Sequence, residues 1–131
     1  MFQILQETDS AIHFLKILPK PGEKMLSLNA AAKKSRVTFL FLQKIARKLR
    51  IAGLIEAGHG VSGGYALKLE KNKISLRRII ETIEGRCGLT SCIASKEFVC
   101  PRRIGCTVRG KMCKINLELN KLLDKIKLSD L

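Results

Sequence analysis

Residues 27–67 read SLNAAAKKSRVTFLFLQKIARKLRIAGLIEAGHGVSGGYAL, and the reading of this stretch decides the fold. Ser27 offers a side-chain cap to a short, alanine-rich helix over Leu28 to Lys34. The chain breaks at Ser35-Arg36-Val37, and Thr38 caps the next helix. In that helix Leu42, Ile45, Ala46 and Leu49 recur at helical spacing as a buried stripe, and Gly53 ends it. Two short helices joined by a tight turn make a helix-turn-helix. Leu54 to Ala57, a glycine-rich tip over Gly58 to Gly64, and Tyr65 to Leu69 then read as strand, turn and strand: a hairpin, or wing.

The flanks fit around this unit. Upstream, Thr8-Asp9-Ser10 offer capping side chains to a helix whose apolar face is Ala11, Phe14, Leu15 and Leu18, stopped by Pro19, Pro21 and Gly22. Downstream, Ser75 caps a helix from Leu76 to Glu84, with Ile79, Ile80 and Ile83 apolar, and Gly85 ends it. Residues 85–110 hold five glycines or prolines and read as a loop. A last helix starts at about Arg109, with Ile115, Leu119, Leu122, Leu123 and Ile126 as its apolar stripe. The fold class is mainly α with a small β-hairpin. The expected division is a winged helix-turn-helix domain over 1–85, a cysteine-rich loop over 86–108 and a C-terminal helix over 109–131.

The composition limits what such a chain can do. Its 131 residues carry 25 Lys and Arg against 11 Asp and Glu, a net charge of +14, and 46% are hydrophobic. That apolar fraction excludes a disordered basic tail, and the length excludes a barrel enzyme of roughly 250 residues. No apolar run of about 18 residues exists, so no membrane span is expected. Residues 1–9 lack the basic and apolar regions of a signal peptide, which places the protein in the cytoplasm. His13 and His59 lie far apart, no carboxylate pair stands out, and Gly60 to Gly64 cap a hairpin rather than open a helix. The chain is therefore not read as an enzyme.

The charge points instead to a polyanion. From Lys24 to Ile55 there are eight basic residues and no acid. On the third helix, Leu40, Gln43, Lys44 and Arg47 lie opposite the buried stripe. Gln43 can bond an adenine edge and Arg47 a guanine edge or a phosphate, whereas Leu40 and Phe41 touch thymine methyls or pack. Thr38 and Lys48 on this helix, and His59 and Ser62 in the wing, complete the candidate DNA contacts. Taken alone, such a face is an ordinary solvated helix surface; a basic third helix followed by a glycine-tipped wing is a DNA reader.

All five cysteines lie between Cys87 and Cys113. An odd number in a reducing compartment is not a disulfide framework. Cys92, Cys100 and Cys106 are spaced C-x7-C-x5-C, with Cys87 and Cys113 flanking them. Thiolates in a loop can wrap an iron–sulfur cluster or zinc, and Lys96, Arg102, Arg103 and Arg109 offset their charge. The spacing is longer than the C-x2-C pairs of zinc fingers, although Cys113 can complete a four-cysteine zinc site. Spacing alone leaves cluster, zinc and unliganded redox-active thiols open.

Several of these segments together resemble the IscR/NsrR group of bacterial winged-helix transcriptional regulators, the Rrf2 family. The resemblance spans roughly residues 5–131. It rests on Ser27 to Ala32, the Leu42 stripe, Ala52-Gly53-Leu54, Gly60, Gly63-Gly64-Tyr65, Ile74-Ser75-Leu76, Ile83-Glu84-Gly85, the cysteine trio with Pro101, and the closing Leu128-Ser129-Asp130-Leu131. It implies a homodimer with crossing C-terminal helices, bound to double-stranded DNA at a pseudo-palindromic operator. It also implies an iron–sulfur cluster, 2Fe-2S or 4Fe-4S, on Cys92, Cys100 and Cys106. In nitric-oxide-sensing members the fourth ligand is similar to an aspartate near the start of the first helix, contributed by the other subunit, and Asp9 sits at the matching place. The histidine that the iron–sulfur-biogenesis regulators carry after the third cysteine is missing: Thr107-Val108-Arg109 stands there.

The chain also departs from the family. Arg36 replaces the usual turn glycine, the wing reads His59-Gly60-Val61-Ser62-Gly63-Gly64-Tyr65, and Phe39 and Leu40 replace polar residues early in the reading helix. The expected function is a dimeric regulator whose operator binding is controlled by the cluster, under a nitric oxide, redox or iron signal. The alternatives are a cluster-free regulator of the same fold, acting by thiol chemistry or a partner protein, and a small iron–sulfur or zinc protein.

Overall fold

The computed structural model describes residues 3–131. Helix α1 spans Gln6–Ile17, α2 Leu28–Ser35 and α3 Phe39–Ile51. Strands β1 (Ile55–Gly58) and β2 (Gly64–Leu67) pair antiparallel, with Ile55 opposite Leu67 and Gly58 opposite Gly64. Helix α4 is Leu76–Glu84, α5 is Ser91–Ala94 and α6 is Arg109–Lys125, and a 3-10 turn closes the chain at Leu128–Asp130. The mainly helical, hairpin-bearing class expected from the sequence is what the chain adopts.

The expected caps hold where they are local. Ser27 accepts from Ala30 N, Thr38 from Phe41 N and Ser75 from Arg78 N. The first helix is different. It begins one turn earlier than the capping reading, after Leu5, with no side-chain cap. Thr8 is buried instead, and its hydroxyl donates to Glu84 Oε1 at 2.6 Å. A tertiary bond to α4 has taken the side chain that local chemistry offered as a cap.

One core joins α1, α2, α3, α4 and the hairpin. Phe14, Leu15, Leu42, Ile45, Leu49, Leu54, Ile55, Leu67 and Ile79 are fully or almost fully enclosed. The wing is fastened at its base: Tyr65 meets Phe14 edge-on at 6.3 Å and exchanges two backbone hydrogen bonds with Leu26. Gly64 lets Leu26 come this close. It has φ 145°, and a Cβ there would collide with the Leu26 carbonyl.

The C-terminal segment is not a free extension. After α6 the chain returns to the winged domain, where Leu76 N donates to Ile126 O and Leu128 N to Ile74 O, both at 2.8 Å. Leu128 is 1% exposed within the main core. The expected α6 stripe splits. Leu119, Leu123 and Ile126 pack with Leu76 and Ile80 of α4, whereas Ile115 and Leu122 stay exposed. The loop over 85–110 also holds one short helix, α5, that glycine and proline counting did not anticipate. Among the described residues no helix is long and apolar enough to cross a membrane.

Candidate nucleic-acid interface and thiol cavity

The reading face is set by which side of α3 the core consumes. Leu42, Ile45, Ala46 and Leu49 are buried, which leaves Leu40, Gln43, Lys44, Arg47 and Arg50 exposed on the other side. Leu40, Gln43, Lys44, Arg47, Arg50 and Tyr65 line one groove between helix and wing. Gln43, Arg50 and Tyr65 also border a second groove, with Phe39, His59 and Gly60. Helix face and wing thus form one continuous concave surface. Ser62 is exposed at the wing tip, and Thr38 is exposed at the helix start while its hydroxyl caps the helix.

Two expected contacts are placed elsewhere. Phe41 packs against the core, taking the packing option that its apolar side chain left open. Lys48 turns to the rear of α3, where its ammonium donates to Glu7 Oε1 at 2.8 Å and to the Ile83 carbonyl at 3.1 Å. It therefore ties α3 to α1 and α4. Arg50, which was not among the expected contacts, is exposed and lines the same groove, seven residues after Gln43 and on the same face by helical periodicity. Lys44 lies 3.7 Å from Glu7 but remains exposed.

Arg36 stands at the turn between α2 and α3. It has φ 55°, the only positive φ at a non-glycine among the described residues. The turn needs a left-handed residue here, which explains why glycine suits the position and what arginine costs there.

The second site lies between α5, the following loop and the start of α6. A cavity of about 350 Å³ is lined by Cys92, Cys100, Cys106 and Cys113, together with Lys96, Arg103 and Arg109. The sequence trio is brought to one place, and Cys113, which spacing left without a role beyond a possible zinc site, joins it. Among the described residues no three His, Cys, Asp or Glu side chains converge to metal-holding distance; the thiols ring the cavity rather than meet at a point. The Thr90 hydroxyl lies 3.2 Å from Cys92 Sγ. The donor set, soft thiols among three cations, suits an iron–sulfur group.

Asp9 and Cys87 stand apart from this cavity. Asp9 is exposed on α1, 3.8 Å from His13 Nε2. Cys87 donates to Asn120 Oδ1 at 3.1 Å, and burial, with Glu81 nearby, pushes its thiol above the usual range. The buried side of α6 is polar at this level: Asn116 accepts from Leu89 N at 2.9 Å, so two asparagines hold the start of the cysteine loop.

A basic reading helix beside a glycine-tipped wing defines a winged helix-turn-helix DNA-binding protein. The family model described as "Rrf2: Iron-dependent Transcriptional regulator" matches residues 4–131, and the chain belongs to that family. The family consists of transcriptional regulators, not enzymes. The chain is 25% identical over 130 residues to the HTH-type transcriptional regulator NsrR of Shouchella clausii, covering 98% of this chain and 87% of that one. It is similar in structure to CymR of B. subtilis, described as the global cysteine regulator, with TM-score 0.77, 24% identity and coverage of 99% and 95%. The oxidised form of Staphylococcus aureus CymR also matches, with TM-score 0.70, 25% identity and coverage of 98% and 94%.

Proposed function

We propose that this protein is a homodimeric regulator whose operator binding is governed by an iron–sulfur cluster held on Cys92, Cys100 and Cys106. The observation that carries the proposal is the gathering of these three thiols, from a 15-residue span that includes most of α5 and the loop after it, around one cavity with Lys96, Arg103 and Arg109. Lys96, Arg103 and Arg109 would offset the negative charge of a thiolate-held cluster in this cavity.

The DNA contacts in this reading are Thr38, Leu40, Gln43, Lys44, Arg47, Arg50, His59 and Ser62. Lys48 acts as an internal tie and Phe41 as core. The dimer rests on a ridge along α6. Val108, Ile115 and Leu122, each seven residues apart, are 59%, 54% and 55% exposed. Apolar residues at heptad spacing form a seam for another helix, here a second copy of α6. Two reading helices then face successive major grooves of a pseudo-palindrome, about one helical turn apart.

When bound, a cluster supplies a centre that responds to nitric oxide, oxidation or iron supply. The chain supplies the transmission. Asn116 and Asn120 join the cysteine loop to α6. Arg77 Nη1 joins α4 to α6 by bonding Asp124 Oδ2 at 2.9 Å. A change in the loop therefore bears on the angle between the winged domain and the dimer seam, provided the two arrangements differ in stability.

Anaerobic purification with iron, sulfide and absorbance measurements tests this reading. We expect coloured protein with stoichiometric iron and sulfide; colourless protein lacking iron after reconstitution contradicts it. The likeness to CymR supports a second reading, in which the thiols act without a cluster. A stable iron-free dimer whose DNA affinity changes on thiol oxidation favours that reading.

A further inference from the structure

We infer that Cys113 supplies a fourth thiolate to the cavity, so that all four ligands of the cluster come from one subunit. The inference rests on the cluster reading above and goes beyond it in naming the fourth donor and its source. Four thiols, not three, line the cavity. Three of them sit on α5 and the loop after it, whereas Cys113 sits in the second turn of a 17-residue helix. Arg109 and Cys113 are four residues apart on α6, hence on one face, and both line the cavity.

The competing donor is Asp9, which the resemblance brings from the other subunit rather than from the subunit that holds the three thiols. Asp9 does not line the cavity of its own subunit, so within one subunit Cys113 is the fourth donor beside the trio. A thiolate is also the softer ligand and matches iron–sulfur chemistry better than a carboxylate. The other spare cysteine, Cys87, borders a different cavity with Ile80, Glu84, Leu119 and Leu123. The two flanking cysteines thus separate: Cys113 faces the trio, and Cys87 faces the α4–α6 contact.

A mechanical consequence follows. Ligation by Cys113 ties the loop directly to the first half of α6, next to Val108 and Ile115 of the exposed ridge. Loss of the cluster then releases the loop from the same helix that carries the dimer seam.

The test uses the full-length dimer, reconstituted without oxygen using ferrous iron and sulfide. Wild type is compared with Cys113→Ala, Cys113→Ser, Cys92→Ala, Cys87→Ala and Asp9→Ala. Iron and sulfide per subunit, visible absorption and circular dichroism, and electron paramagnetic resonance after reduction are read. Far-ultraviolet dichroism and gel filtration report fold and dimer. We expect Cys113→Ala to lose most of its iron, as Cys92→Ala does, with fold and dimer kept. Cys113→Ser should shift the visible bands, because oxygen replaces sulfur at one ligand. Cys87→Ala and Asp9→Ala should retain the wild-type stoichiometry and spectrum. Wild-type spectra and iron in both Cys113 variants overturn the inference while leaving the cluster reading intact. Loss of iron on Asp9→Ala but not on Cys113→Ala assigns the fourth ligand to the aspartate and also overturns it. Iron-free wild type overturns the cluster reading itself.

Discussion

Asn120 on α6 accepts a hydrogen bond from the Cys87 thiol at 3.1 Å, one turn beyond the point where Asn116 accepts the Leu89 N–H at 2.9 Å. Both asparagines are under 10% exposed. Asn116→Ala strands a backbone donor in a half-buried place, which costs about 1–3 kcal/mol. Asn120→Ala loses only a weak S–H donor and should cost less. Urea unfolding of the apo-protein checks the order. Amide exchange at Leu89 should quicken in the Asn116 variant alone.

Arg47 and Lys48 are neighbours on α3 that face different ways, Arg47 into the groove beside the wing and Lys48 to Glu7 and the Ile83 carbonyl. Arg47→Ala should weaken DNA binding and reduce the salt slope by about one unit, as expected for one lost phosphate contact. If Arg47 bonds a guanine edge instead, the loss is about 1–3 kcal/mol and is confined to certain sequences. Lys48→Ala should leave the salt slope unchanged. It should cost roughly 1 kcal/mol of stability by breaking the part-buried bond to Glu7. Anisotropy titrations across sodium chloride, with urea unfolding beside them, separate the two.

Arg36 holds φ 55° where a side chain is disfavoured by roughly 1–2 kcal/mol. Arg36→Gly should relieve that conformation, partly offset by the entropy of an unfolded glycine, for a net gain of about 0.5–1 kcal/mol. Arg36→Ala keeps the conformation without the charge and should bring no such gain. The urea midpoints of the two variants check this.

Leu128 is the fourth residue from the end of the sequence, yet it is 1% exposed and bonded to Ile74 through its N–H. Leu128→Ala should destabilise the winged domain by about 2–5 kcal/mol, as for a core leucine. Thermal unfolding followed by circular dichroism reads this directly. A change near zero would mean that the tail does not close the core.

The elements that were legible in the sequence are those set by short-range chemistry. Ser27, Thr38 and Ser75 cap the helices they precede, and the Leu42 stripe faces inward. What escaped was set by the tertiary partner. Thr8 looks like a cap but bonds Glu84, and Lys48 looks like a phosphate contact but bonds Glu7. Leu123 and Ile115 belong to one apolar pattern, yet one meets α4 and the other remains open. The cysteine trio was visible as a spacing. The place of Cys113 beside it depends on how the loop folds back on α6, which no spacing encodes.

In the proposed mechanism the state of the cysteine cavity sets DNA affinity. One preparation of wild-type dimer, reconstituted anaerobically and split into loaded and chelator-stripped halves, tests it by anisotropy on the same operator fragment at fixed salt. We expect the two halves to differ in affinity by at least about tenfold, roughly 1.4 kcal/mol, while both stay dimeric. Equal affinities, with iron shown to be present in one half and absent from the other, would contradict the claim.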